Sequence, residues 1–128
     1  DLDVSSFNTS NVKNMQQMFY DCNKLVNLNM SSFDTANVTN MSKMWYNCRS
    51  LTRLDLSNFD TSKVTRMDYA FYACHGMNTL ILGEKFAFVG GTYSIPLSSW
   101  KNSSGETFDS DGTMSNIPSN VADVYSKI

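Results

Sequence analysis

The chain has 128 residues, with 10 basic and 12 acidic side chains and a formal net charge of −2. This length suits one domain, and a content of 41% hydrophobic and 12% aromatic residues is enough for a packed core and excludes a disordered chain. The slightly acidic balance excludes the basic footprint of a nucleic-acid binder, and no apolar run approaches the roughly 18 residues needed for membrane insertion.

Polarity comes from 18 Ser, 14 Asn and 10 Thr rather than from charge, and these residues recur with the apolar ones at a fixed shift of 26. Leu2, Leu28, Leu54 and Leu80 share one register, and Val4, Met30, Leu56 and Leu82 another. The first predicted element is a strand already under way at Leu2 and Val4. Its copy Leu54 and Leu56 alternates with Arg53, Asp55 and Ser57, the pattern of a strand with one buried face. A Ser, Thr and Asn-rich bend follows, typified by residues 31–37 and including the column Thr9, Thr35 and Thr61. Next come Val38, Met41, Met44, Trp45 and Cys48, spaced 3, 3, 1 and 3, which predicts a short helix capped by Thr39 or Asn40. Its columns are Met15, Met41 and Met67; Phe19, Trp45 and Phe71; and Cys22, Cys48 and Cys74.

One such unit cannot enclose a core, but stacked copies can. The expected fold is therefore an α/β repeat, a right-handed leucine-rich-repeat solenoid with a parallel sheet of short strands and short helical turns on the opposite side. Residues 1–82 form the repeat array. The period fails after Leu82, where Lys85 stands in place of a fourth Phe, and residues 83–128, rich in Gly and aromatics, are expected to be a C-terminal cap of short strands and turns. The first unit starts inside a strand, so the array is expected to be truncated there, exposing an apolar coil and an unpaired edge open to self-association.

The tract Ser-x-Phe-Asp-Thr-x-x-Val-Thr-x-Met-x-x-Met-Phe-x-x-Cys runs through the units, with Asn8 for Asp, Trp45 for Phe and Ala70 for the second Met. It resembles the 26-residue repeat of BspA-like leucine-rich-repeat surface proteins of bacteria. That resemblance implies an extracellular or cell-surface protein, mostly associated with adhesion, and supplies no catalytic residue to carry over.

No catalytic residue, metal or cofactor is predicted from the residues themselves. Cys22, Cys48 and Cys74 form an odd inward column and are expected to be buried thiols, since a zinc site needs a fourth ligand and closer spacing. His75 follows Cys74, but the twins of that pair are Cys22–Asn23 and Cys48–Arg49, so it is expected to be a variable surface residue. The methionine columns are expected to fill the core. Asp109, Asp111 and Gly112 begin like a calcium loop but lack its later acidic ligands, leaving an Asp-Gly turn.

What remains are the outward columns: Asp1, Asn27, Arg53 and Thr79; Asp3, Asn29, Asp55 and Ile81; Ser5, Ser31 and Ser57; and the tyrosine column Tyr20, Tyr46 and Tyr72. Tyrosine offers contact area with a polar tip. The expected function is a non-enzymatic interaction module that binds a protein or glycan through Asp3, Asn29, Arg53, Asp55 and these tyrosines. The competing reading is a structural spacer within a larger surface protein.

Overall fold

The computed structural model describes residues 2–128, so Asp1 and its place in the outward column lie outside the described residues. Its strands are β1 (Leu2–Asp3), β2 (Leu28–Asn29), β3 (Arg53–Leu56), β4 (Thr79–Leu82), β5 (Ser98–Lys101), β6 (Thr107–Ser110) and β7 (Asp123–Lys127). β1 and β2 form a parallel pair with Leu2 opposite Leu28. The other five form one sheet in the order β3-β4-β7-β5-β6, in which β3 and β4 are parallel with Leu54 opposite Leu80. The 26-residue period thus becomes a stack of layers, each repeat lying on the next in register.

The expected α/β leucine-rich-repeat solenoid is overturned. No helix occurs among the described residues, and the strands fall into two separate sheets. The segment expected to be helical is a string of tight turns. In the first layer Met18 N bonds Met15 O, Cys22 N bonds Phe19 O and Leu25 N bonds Cys22 O, and the same turns recur at 41–51 and 67–77. Residues at the two ends of such turns are three apart and face inward, which reproduces helical spacing without a helix.

Hydrogen bonding between layers decides against the helix. Met15, Gln17, Phe19 and Asp21 donate their amides to Asn40, Ser42, Met44 and Tyr46 of the next layer, at 2.7–3.0 Å. A helix would direct those amides along its own axis. Turning them toward the neighbouring layer places two residues per layer in the left-handed region: Gln17 and Asp21, Lys43 and Asn47, Tyr69 and Ala73, with φ between 54° and 62°.

The polar composition now has a structural explanation. Asp3, Asn29 and Asp55 each accept the amide two residues on, from Ser5, Ser31 and Ser57. Asn8, Asp34 and Asp60 do the same for Ser10, Ala36 and Ser62. These side chains fix the corners of every layer. The buried threonines join layers: Thr9 donates to Asp34 O and accepts Asp34 N, and Thr35 does the same with Asp60. Thr61 keeps the role with Ala87 instead of residue 86, an advance of one residue. With that inserted residue it is Phe86 that is buried, while Lys85 is exposed. The turn closing Val4 on Phe7, Met30 on Phe33 and Leu56 on Phe59 recurs between Gly83 and Phe86. Here the chain presses so closely on the layer below that a Cβ on Gly83 would sit 2.2 Å from Ser57 O.

The core is a set of columns. Met15, Met41, Met67, Phe19, Trp45, Phe71, Cys48, Cys74, Leu54 and Leu80 are all buried. Three expected core residues depart from this. Leu2 is 42% exposed, and Leu28 and Cys22 are half-buried. Leu54 and Leu80 sit in strands paired over four residues, but no ladder joins β2 to β3, so Leu28 borders an open cleft. In the first layer Leu2 and Phe7 are exposed, while Val4, Met15 and Phe19 are buried.

The tail adds strands rather than more layers. β7 pairs antiparallel with β4, covering its edge, and β5 joins the other side of β7. Tyr69 N and Phe71 N donate to Thr92 O and Tyr93 O, which occupy the place of a fourth layer on the turn side. Trp100, fully buried, donates its Nε1 to Ser110 Oγ at 3.1 Å, and Ser110 Oγ bonds Pro96 O at 2.6 Å.

Candidate functional site

Where the ladder between β2 and β3 is missing, the strand face opens into a cleft of about 450 Å³ lined by Asn27, Leu28, Asn29, Met30, Ser31, Arg53, Asp55, Ser57 and Asn58. Three of the expected binding residues, Asn29, Arg53 and Asp55, therefore meet at one place. The fourth, Asp3, lies with Asn29 in an adjoining hollow of about 320 Å³ that also includes Leu2, Ser5 and Asn27.

The corner turns determine which polar atoms face outward. Asn29 Oδ1 is engaged by Ser31 N at 3.0 Å, so the amide NH2 is the end left for a ligand. Asp55 Oδ1 accepts both Ser57 N at 3.0 Å and Ser57 Oγ at 2.6 Å. Its Oδ2 stands 3.7 Å from the Arg53 guanidinium, and both side chains are well exposed. An ion pair in that setting is worth little and does not withhold Arg53 from a partner. At Asp3 the Ser5 hydroxyl, then the Ser5 amide, hold the carboxyl below the ordinary range.

Asn58 was missed in the sequence. Its Nδ2 reaches back to Met30 O at 3.1 Å and Phe33 O at 2.8 Å, closing the floor of the cleft. Ser32, at the same register one layer earlier, reaches Val4 O at 3.3 Å. The signal was the change from Ser6 and Ser32 to the longer Asn58 in one column.

The tyrosine column lies elsewhere, and none of its rings lines the cleft. Tyr20 stacks on Tyr46 and Tyr46 on Tyr72, each with ring centroids 4.8 Å apart and interplanar angles of 11° and 20°. Tyr69 meets Tyr72 edge-on at 6.0 Å. Tyr20, Tyr69 and Tyr72 are exposed at 42–45%. Desolvation, then the neighbouring Tyr20 and Tyr72, raise the Tyr46 phenol above the usual tyrosine range.

The remaining candidates resolve into structure. Cys48 Sγ donates to Phe19 O and Cys74 Sγ to Trp45 O, both at 3.1 Å, and all three cysteines are free. Burial pushes the Cys48 thiol up to about 12 and raises that of Cys74 as well. Such groups hold no thiolate at neutral pH and are poor nucleophiles. His75 is exposed, and its carbonyl accepts Lys127 Nζ at 3.3 Å. Asp111 Oδ1 accepts the amides of Met114 and Thr113 and the Thr113 hydroxyl, and the two amides foremost draw its carboxyl down to about 2. Among the described residues no three His, Cys, Asp or Glu side chains are grouped to hold a metal ion, and no helix is long and apolar enough to cross a membrane.

A family model described as "Mycoplasma protein of unknown function, DUF285" matches residues 1–88. The match covers the layers through the Thr61–Ala87 contact and is consistent with a repeat protein of bacterial surfaces. No curated protein and no solved structure matches the chain.

Proposed function

The chain belongs to the DUF285 family of Mycoplasma proteins, and from that premise we infer that it is a non-enzymatic interaction module of a bacterial cell surface that binds a protein or glycan through its strand face. The supporting observation is the polar cleft between β2 and β3, which Asn29, Arg53 and Asp55 line together. Because the corner turns already fix Asn29 and Asp55, a ligand gains hydrogen bonds there without having to order those side chains, a saving of about 0.5–1.5 kcal/mol for each one. The resemblance of residues 1–82 to BspA-like surface proteins supports the location through the shared Phe-Asp-Thr and Met-Phe-x-x-Cys tract.

Arg53 is the residue to test, because replacing it leaves every corner turn intact. The chain should retain at least one ligand from a panel of immobilised host surface proteins and glycans, and Arg53→Glu should weaken that binding at least tenfold. A panel with no ligand, or equal binding by Arg53→Glu, removes the reading.

A spacer role is favoured by one observation: the carboxyl or amide oxygens of Asp3, Asn29 and Asp55 are engaged by their own chain. It predicts that cells displaying the parent protein adhere equally well with wild-type and Arg53→Glu sequences.

A further inference from the structure

The tyrosine column lies outside the cleft on which the binding reading rests. Four of the six tyrosines lie in one row, Tyr20, Tyr46 and Tyr72 stacked at 4.8 Å with Tyr69 against the last, and three of the four are exposed. The geometry points to this row as a site of oxidative cross-linking, in which hydrogen peroxide and a haem peroxidase join tyrosines of adjacent layers as dityrosine, Tyr20 to Tyr46 or Tyr46 to Tyr72.

The chemistry needs two phenols side by side and access for a one-electron oxidant. The peroxidase removes one electron and one proton from each of two phenols, leaving two phenoxyl radicals, and the peroxide takes up both pairs to become two waters. The radicals then form a carbon–carbon bond between ring positions ortho to the oxygens. The ring hydrogen displaced at each carbon moves to its oxygen, restoring two phenols. The net change is the loss of two hydrogens from the protein and the reduction of one peroxide.

The fold supplies both requirements. The 26-residue register places one ring above the next, and hydrogen bonds from Asp21 N to Tyr46 O and from Asn47 N to Tyr72 O, each 2.7 Å, hold the backbones of adjacent layers together at the column. The exposed rings of Tyr20 and Tyr72 flank the half-buried ring of Tyr46, so an oxidant reaches the outer member of each stacked pair directly. Tyr93 and Tyr125, the remaining tyrosines, are buried. The product would be a covalent tie across layers, which raises the resistance of the stack to unfolding. This inference does not depend on what the cleft binds.

The experiment treats the whole chain at low concentration with hydrogen peroxide and a haem peroxidase, then reads dityrosine fluorescence, intact mass and the cross-linked peptides. The expected product is a monomer lighter by two hydrogens, with a bond between residues 20 and 46 or 46 and 72 and a raised thermal midpoint. Oxygen addition at the exposed Met114 is distinguished by its gain in mass. Tyr46→Phe preserves the stacked ring and should lower dityrosine several-fold, confining what remains to Tyr69 and Tyr72. Unfolding in urea should likewise abolish the preference for these pairs. Failure to form dityrosine, cross-links mapping to Tyr93 or Tyr125, exclusively intermolecular products, or an undiminished yield in Tyr46→Phe would each overturn the assignment.

Discussion

Thr35 is 1% exposed, and its hydroxyl donates to Asp60 O at 3.0 Å while accepting Asp60 N at 2.8 Å. One small buried side chain thus satisfies two backbone groups of the next layer. Thr35→Val keeps the shape and removes the hydroxyl, orphaning both groups. The expected cost is about 2–4 kcal/mol, measured as a lower midpoint in denaturant, with Thr35→Ser recovering most of it. A surface threonine replaced in the same way would shift stability by less than about 0.5 kcal/mol. At this scale the sequence was partly readable. The recurrence of Thr9, Thr35 and Thr61 marked a polar ladder, and the register of Asp3, Asn29 and Asp55 marked them as outward. What spacing could not show is that the latter three accept their own chain's amides, because an Asx turn depends on the backbone two residues further on.

The turn string is where pattern and structure diverge at the scale of elements. Met41, Met44, Trp45 and Cys48 all face inward as their spacing suggested, so the core was legible even though the element was misread. Three-residue turns and helices share inward spacing over a short span. They differ in where the amides point, and hydrophobic pattern carries no information about that. Asp21 and Asn47 gave a trace of the difference, since Asn and Asp tolerate the left-handed region, but Ala73 at the same register did not. Ala73→Gly gives opposite signs in the two cases. In a helix interior it would cost about 0.8–1 kcal/mol. At φ 62° it relieves a conformation that disfavours a Cβ by roughly 1–2 kcal/mol, and after the added chain entropy of glycine a gain of about 0.5 kcal/mol remains. A higher thermal midpoint for Ala73→Gly is the expected result, and a lower one would contradict the turn string.

At the scale of the whole molecule, a small set of shifted groups sets the response to pH. The carboxyls of Asp3, Asp60, Asp68, Asp111 and Asp123 are all held below their ordinary value. For Asp68 the Ser42 hydroxyl, at 2.5 Å, is foremost, and for Asp60 it is the Ser62 hydroxyl. A carboxyl with a lower value in the folded chain contributes stability that is complete above its unfolded value of about 4 and is lost as pH falls toward the folded one, about 2 for Asp111. At the other end, Cys48 is raised from 9.0 to about 12 by burial, and Cys74 and Tyr46 are raised as well. A raised group contributes stability that is complete below its unfolded value and is lost as pH climbs toward the folded one. The denaturation midpoint should therefore stay level between about pH 5 and 8, fall between about 4 and 2, and fall again above about 9. Midpoints measured in urea across that range check all three parts. A decline within the neutral plateau would mean that some other ionisable group controls the stack, and a flat alkaline limb would mean that the thiols of Cys48 and Cys74 are not sealed between the layers.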